Sequence, residues 1–182
     1  MDVPLNELTP EAIAEEQSGK LGGAWALHDA VQRWECELES FVLYGSASGF
    51  LGNYGQSAYS AANAGLTGLV HLRRAKGLPA TIIHWGAWAD GGMAAAPNAE
   101  AQLRRRGAAY MKPELCLLGL ERALQEGRED LAVFDVDWAR MRELAGRHSP
   151  LLSELPEMRA AQAVPDEESA KSHSDNLRLE LQ

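Results

Sequence analysis

Apolar positions along this chain follow two patterns. Short, mostly apolar runs occupy 41–44, 80–85 and 131–134. Such runs predict buried strands, because a strand covered on both faces has no polar side to show. The first run ends in Gly45-Ser46-Ala47-Ser48-Gly49, so it leads into a loop. Between the runs, apolar residues recur at three- and four-residue spacing, which predicts helices. Thr9-Pro10-Glu11 is a helix start: Thr9 can cap, Pro10 suits the first turn and Glu11 favours the dipole. That helix is expected through Glu16, with a break or irregular stretch around Ser18-Gly19. A second covers 23–34. Residues 49–56 read as a loop carrying Gly49, Gly52 and Gly55. An alanine-rich helix over 58–76 is basic at its end and is stopped by Gly77-Leu78-Pro79. Further helices are expected over 98–107, 113–125 and 137–144.

Helix and strand therefore alternate, which predicts an α/β fold with a parallel sheet. About three strands with flanking helices can be counted. A parallel sheet that small leaves at least one apolar edge unprotected. From Ser153 onward the chain carries 7 acids and 3 bases with little apolar periodicity. Residues 156–182 read as an acidic linker or disordered tail after a domain over 1–155.

Composition narrows the function classes. The 182 residues carry 17 basic and 26 acidic side chains, a net charge of −9. That argues against a general nucleic-acid or anionic-membrane binder. No apolar run has transmembrane length, and the N-terminus lacks the basic and apolar regions of a signal peptide. Cys36 and Cys116 lie 80 residues apart, without a partner at metal-ligand spacing. No metal site is expected, and a cytoplasmic setting is.

Chemistry concentrates around the first strand. Ser46 lies at its carboxyl end, where open α/β sheets bind ligands. Tyr59 follows near the start of the alanine-rich helix. Asn63 comes four residues later, on the same helical face. Lys20 precedes the strand, beside Gly22-Gly23. Taken singly, these are a turn serine, a packing tyrosine, a surface or capping asparagine and a solvated lysine. The Gly45–Gly49 stretch is no nucleophile elbow, because its centre is Ala47 rather than serine. His28, His71 and His84 lack partners at metal spacing, and His84 reads as a core histidine. Arg104-Arg105-Arg106 reads as a solvated helix face.

Together and in order, these residues resemble a known family. Phe41-Val42-Leu43-Tyr44-Gly45-Ser46-Ala47-Ser48-Gly49 and Gly55-Gln56-Ser57-Ala58-Tyr59-Ser60-Ala61-Ala62-Asn63-Ala64 look like the ketoreductase domain of modular polyketide synthases. That domain is part of the short-chain dehydrogenase/reductase superfamily. The likeness continues through Lys20-Leu21-Gly22-Gly23-Ala24-Trp25, Arg73-Arg74-Ala75-Lys76-Gly77-Leu78-Pro79, Trp85-Gly86-Ala87-Trp88, Gly91-Gly92-Met93-Ala94 and Asp137-Trp138-Ala139-Arg140.

The resemblance implies NADPH-dependent reduction of a carrier-bound β-ketoacyl thioester to the β-hydroxyacyl thioester. Tyr59 would be the general acid at the carbonyl oxygen, and Ser46 the hydroxyl bonded to it. Lys20 would be the upstream lysine of these domains, with Asn63 ordering water or orienting that lysine. A free tyrosine titrates near about 10, and an adjacent ammonium brings that down. Trp85, Gly86 and Trp88 would lie by the nicotinamide, and Gly92 and Met93 would open a substrate lid. The implied partners are an acyl carrier protein with its phosphopantetheine-bound substrate, and other synthase domains.

No Gly-x-Gly-x-x-Gly follows a strand in this sequence. In the family, that pyrophosphate cradle lies in a preceding half. The expectation is thus a partial Rossmann-like sheet, the carboxyl-terminal half of a ketoreductase, lacking the N-terminal dinucleotide-binding half. Such a piece alone is expected to bind NADPH poorly and to show no measurable turnover. The alternative is a non-catalytic remnant, inactive without the missing half.

Overall fold

The computed structural model describes residues 3–89, 99–145 and 151–157. The chain forms two units, Met1–Asp135 and Val136–Gln182. In the first unit a 3-10 turn at Leu5–Glu7 precedes α1 (Pro10–Gln17), a π-helical turn (Ser18–Gly22) and α2 (Gly23–Arg33). Then come β1 (Val42–Ser46), α3 (Ser48–Leu51), α4 (Ser57–Ala75), β2 (Thr81–Trp85) and α5 (Ala99–Arg105). The unit continues with β3 (Ala108–Ala109), α6 (Pro113–Gln125), β4 (Asp130–Val133) and the start of β5 (Asp135–Val136). The second unit holds α7 (Trp138–Ala145), where Asp137 Oδ1 accepts from the Arg140 N–H at 3.0 Å.

The three predicted strands form one parallel sheet in the order β1-β2-β4. All five residues of β2 are buried, as expected for the central strand. The two sheet faces carry separate cores. Leu43 and Ile82 face Leu66, Leu69 and Val70 of α4 and Ala24 of α2. Ile83 and Trp85 face Met111 and, on α6, Cys116 and Ala123. Tyr44 on the outer strand β1 is 46% accessible, so this part of one sheet face is only partly covered.

Two expectations are refined. The irregular stretch at Ser18-Gly19 is a π-helical turn rather than a break. The chain stays helical from Pro10 to Arg33, passing through the π turn that carries Lys20. Thr9 caps its start, accepting from the Ala12 N–H at 3.2 Å. Nor is 49–56 loop throughout, since Ser48–Leu51 forms one helical turn. Gly49 allows that turn to rest on α4, where a Cβ at Gly49 would stand 3.1 Å from Asn63 Cβ. Residues 90–98, with Gly92 and Met93, and the tail from 158 onward lie outside the described residues.

A buried polar pair joins α2 to α4. Arg73, 1% accessible, donates from Nη1 to His28 Nδ1 at 2.9 Å and from Nε to the Pro79 carbonyl at 3.1 Å. Its guanidinium lies 3.9 Å from the centre of the Phe41 ring. A guanidinium can only donate, so His28 Nδ1 accepts and the ring is neutral. Burial, with Arg73 and Lys76 nearby, holds the His28 pKa below the ordinary 6.5, while Asp29 pulls weakly the other way. The unfolded chain then binds the extra proton more readily. The stability His28 contributes is present above pH 6.5 and is lost as pH falls through the folded-state value. Urea unfolding at pH 7.5 and 5.5 is expected to show lower stability at the acid pH. The part of that loss due to this ring should vanish in His28→Gln.

Candidate active site

The loop side of the sheet gathers the residues that the sequence singles out. Ser46 closes β1, and its register partner across the ladder is Trp85. The chain turns at once into α3, pinned by an Ala47 N–H to Trp85 carbonyl bond of 2.9 Å. Ser46 Oγ accepts from the Ser48 hydroxyl at 2.9 Å and from the Ser48 N–H at 3.3 Å. With both bonds arriving at the oxygen, the Ser46 hydrogen is left to donate elsewhere.

Helix α4 carries the other two. Tyr59 stands in its first turn, half-buried, and Asn63 lies one turn on, fully buried. Asn63 uses both ends of its amide. Its Nδ2 donates to the Tyr59 carbonyl at 2.8 Å, and its Oδ1 accepts from Lys20 Nζ at 2.8 Å. Lys20 also donates to the Tyr44 carbonyl at 3.1 Å, and its Nζ lies 5.2 Å from the centre of the Tyr59 ring. An ammonium has three protons, so one remains for a ligand after these two bonds. The π turn makes this reach possible. Such turns re-aim side chains within a helix and recur at functional sites.

The structure thus brings Lys20, Tyr59 and Asn63 into one cluster and sets Ser46 at the carboxyl end of the same strand that accepts from Lys20. The Tyr44 carbonyl and Ser48 are partners that sequence reading missed. A backbone acceptor leaves no trace in residue type, and Ser48 stood among small residues that read as loop. Trp85 is a core residue, 5% accessible, with its ring 5.5 Å from Tyr44 and 5.0 Å from Trp88. Trp88 is half-buried and bridges to Met111. Gly86 is tightly packed: a Cβ there would lie 2.6 Å from Phe134 Cβ. His84 is in the core, with Nε2 3.1 Å from Asp130 Oδ1; among the described residues its Nδ1 has no partner. Arg104 is solvated, as expected, and pairs with Glu100 at 2.8 Å. Among the described residues no His, Cys, Asp and Glu group could hold a metal ion, and no helix is long and apolar enough to cross a membrane.

Comparison with known proteins agrees with this picture. The family profile of the KR domain matches residues 1–90. Polyketide synthase GfsA of Streptomyces halstedii is 42% identical over 98% of this chain, which spans 2% of that protein. Pikromycin polyketide synthase component PikAIII of Streptomyces venezuelae is 40% identical over 89% of the chain, which spans 10% of it. The solved structure of A-type ketoreductases from a modular polyketide synthase superposes with a TM-score of 0.83 at 35% identity, covering 88% of this chain and 34% of that one.

Fold and site together define the class, a Rossmann-like α/β domain with a parallel three-stranded sheet and flanking helices. The chain belongs to the ketoreductase (KR) domains of modular polyketide synthases. It spans about a third of the solved ketoreductase chain and a small fraction of each synthase.

Proposed function

We propose that this chain supplies the catalytic part of a β-ketoacyl reductase within a larger synthase, as the carboxyl-terminal portion of its ketoreductase domain. The observation that carries the reading is the bonded cluster of Lys20, Asn63 and Tyr59 beside the strand that ends in Ser46. Ser46, with its hydrogen unspent, donates to the substrate carbonyl oxygen and sets its position. Tyr59 delivers a proton to that oxygen as the carbonyl carbon is reduced. Lys20 places a positive charge near the Tyr59 ring and steadies negative charge as the proton leaves. Asn63 holds Lys20 by its oxygen and the α4 backbone by its nitrogen.

A nicotinamide cofactor fits this donor set, because the third proton of Lys20 suits a ribose hydroxyl. When bound it supplies the hydride. The reading names NADPH, and a β-ketoacyl thioester carried on the phosphopantetheine of an acyl carrier protein. A fold that covers 34% of a solved ketoreductase is consistent with the pyrophosphate cradle lying in other residues of the domain.

The test is NADPH oxidation by the complete ketoreductase containing this chain, with a model β-ketoacyl thioester as substrate. Asn63→Ala is expected to cut kcat by about 10- to 100-fold, since it unmoors Lys20 by removing an acceptor from a charged donor. Cofactor affinity should fall less. A variant within twofold of the parent in kcat would remove Asn63 from the proposal. No carbonyl reduction by the complete domain would remove the reading as a whole.

A further inference from the structure

Helix α5 poses a problem of position. It has seven residues, far below the length at which a helix holds itself in water. Of its residues from Glu100 to Arg105, only Leu103 is even half-buried. Apolar packing therefore does little to fix it. One flank of the segment is tied down, because Met111 exchanges backbone bonds with Ala87 and Ala89, just past the end of β2, at 2.9 and 2.8 Å. At the carboxyl end of α5 stands Arg106. Its Nη1 donates to Asn53 Oδ1 at 2.9 Å, across 53 residues of sequence.

Asn53 is itself held. Its Nδ2 donates to Gln56 Oε1 at 2.8 Å, and its carbonyl accepts from the Gln56 N–H at 3.0 Å. The Gln56 carbonyl in turn accepts from the Ser60 N–H at 2.8 Å, in the first turn of α4 beside Tyr59. The same loop is pinned from a third side, where the Val3 N–H donates to the Gly55 carbonyl at 2.8 Å. A continuous run of hydrogen bonds thus joins Arg106 to the backbone next to Tyr59.

We propose that Arg106 and Asn53 are positioning residues, a latch that holds the end of α5 against the loop leading into the Tyr59 helix and so shapes the entrance to the reductase site. The proposal rests on the reductase reading for its effect on substrate, but not for the latch itself. Asn53 suits the role because its amide has two ends. The oxygen takes the guanidinium and the amino group takes Gln56. Aspartate in its place keeps the first bond, as an ion pair, and loses the second.

Hydrogen exchange of the complete ketoreductase reads the latch without any activity. In Arg106→Ala and in Asn53→Ala, amides of α5 and of residues 52–56 are expected to exchange about fivefold faster, the scale of one lost solvent-exposed hydrogen bond. In α5 the double variant should be no faster than either single one, because there both remove the same bond, while residues 52–56 follow Asn53→Ala, which also loses the bond to Gln56. Asn53→Asp should leave α5 near the parent rate while loosening residues 52–56. In turnover with a β-ketoacyl thioester, both alanine variants should raise KM several-fold with kcat within about twofold, and Arg106→Lys should recover part of the loss. Unchanged exchange in α5, or additive effects there in the double variant, would overturn the latch. Faster exchange with unchanged KM would overturn its role at the entrance. If the parent reduces no carbonyl at all, the reductase reading fails while the exchange result still decides the latch.

Discussion

Replacing Tyr59 by phenylalanine is expected to lower turnover of a β-ketoacyl thioester by about 100- to 10,000-fold, the range of a lost general acid. The substitution removes one oxygen and keeps the ring. The ring is half-buried, and the bonds that seat this part of α4 use the Tyr59 carbonyl rather than its hydroxyl. Fold and cofactor affinity should therefore persist, and the loss should appear in kcat. Stopped-flow measurement of NADPH oxidation in the complete ketoreductase, with a thermal melt as control, decides the matter. A melt within about 2 °C of the parent with turnover intact would show that another group delivers the proton.

The second large effect is on stability rather than chemistry. Leu66 is 2% accessible and packs in the core between α4 and the β1-β2 face. Leu66→Ala leaves a cavity there and is expected to cost about 2–5 kcal/mol. For a chain of this size that corresponds to a fall in Tm of roughly 5–15 °C. Leu66 lies one helical turn beyond Asn63, yet points into the apolar core and touches none of the polar cluster's hydrogen bonds. Turnover per folded molecule, measured well below the melt, should stay within about threefold of the parent. The pair of variants separates two jobs of one helix. Tyr59→Phe loses rate with stability kept, and Leu66→Ala loses stability with rate kept. A Leu66→Ala protein as stable as the parent would mean that α4 is not seated on the sheet as described.

Strands β1, β2 and β4 were legible because each centres on a short, mostly apolar run bounded by polar or small residues. Central β2, buried along its whole length, had little other composition open to it. The starts of α1 and α6 were legible from Thr9-Pro10 and Pro113. The π turn was not. Gly19, Gly22 and Gly23 lower helix propensity enough to read as a break or irregular stretch. Tertiary packing keeps the stretch helical, since Leu21 of the turn and Ala24 just after it join the core on α4. The α3 turn was hidden for a related reason. Its four residues carry no periodicity, and it forms where Gly49 can approach Asn63 closely.

The candidate site divides in the same way. Residue types and order, from Lys20 through Ser46 and Tyr59 to Asn63, were present in the chain and pointed to a ketoreductase before any geometry was known. That Tyr59 and Asn63 share a helical face also followed from their spacing, because a four-residue step is close to one turn. Tertiary structure alone decided that Lys20 meets Asn63 across 43 residues, takes the Tyr44 carbonyl and stands beside the Tyr59 ring. It alone joined Arg106 to Asn53. Local periodicity encodes which face of its own element a side chain occupies. Which distant element lies opposite that face depends on how the helices pack on the sheet, and the spacing of residues along the chain carries no record of it.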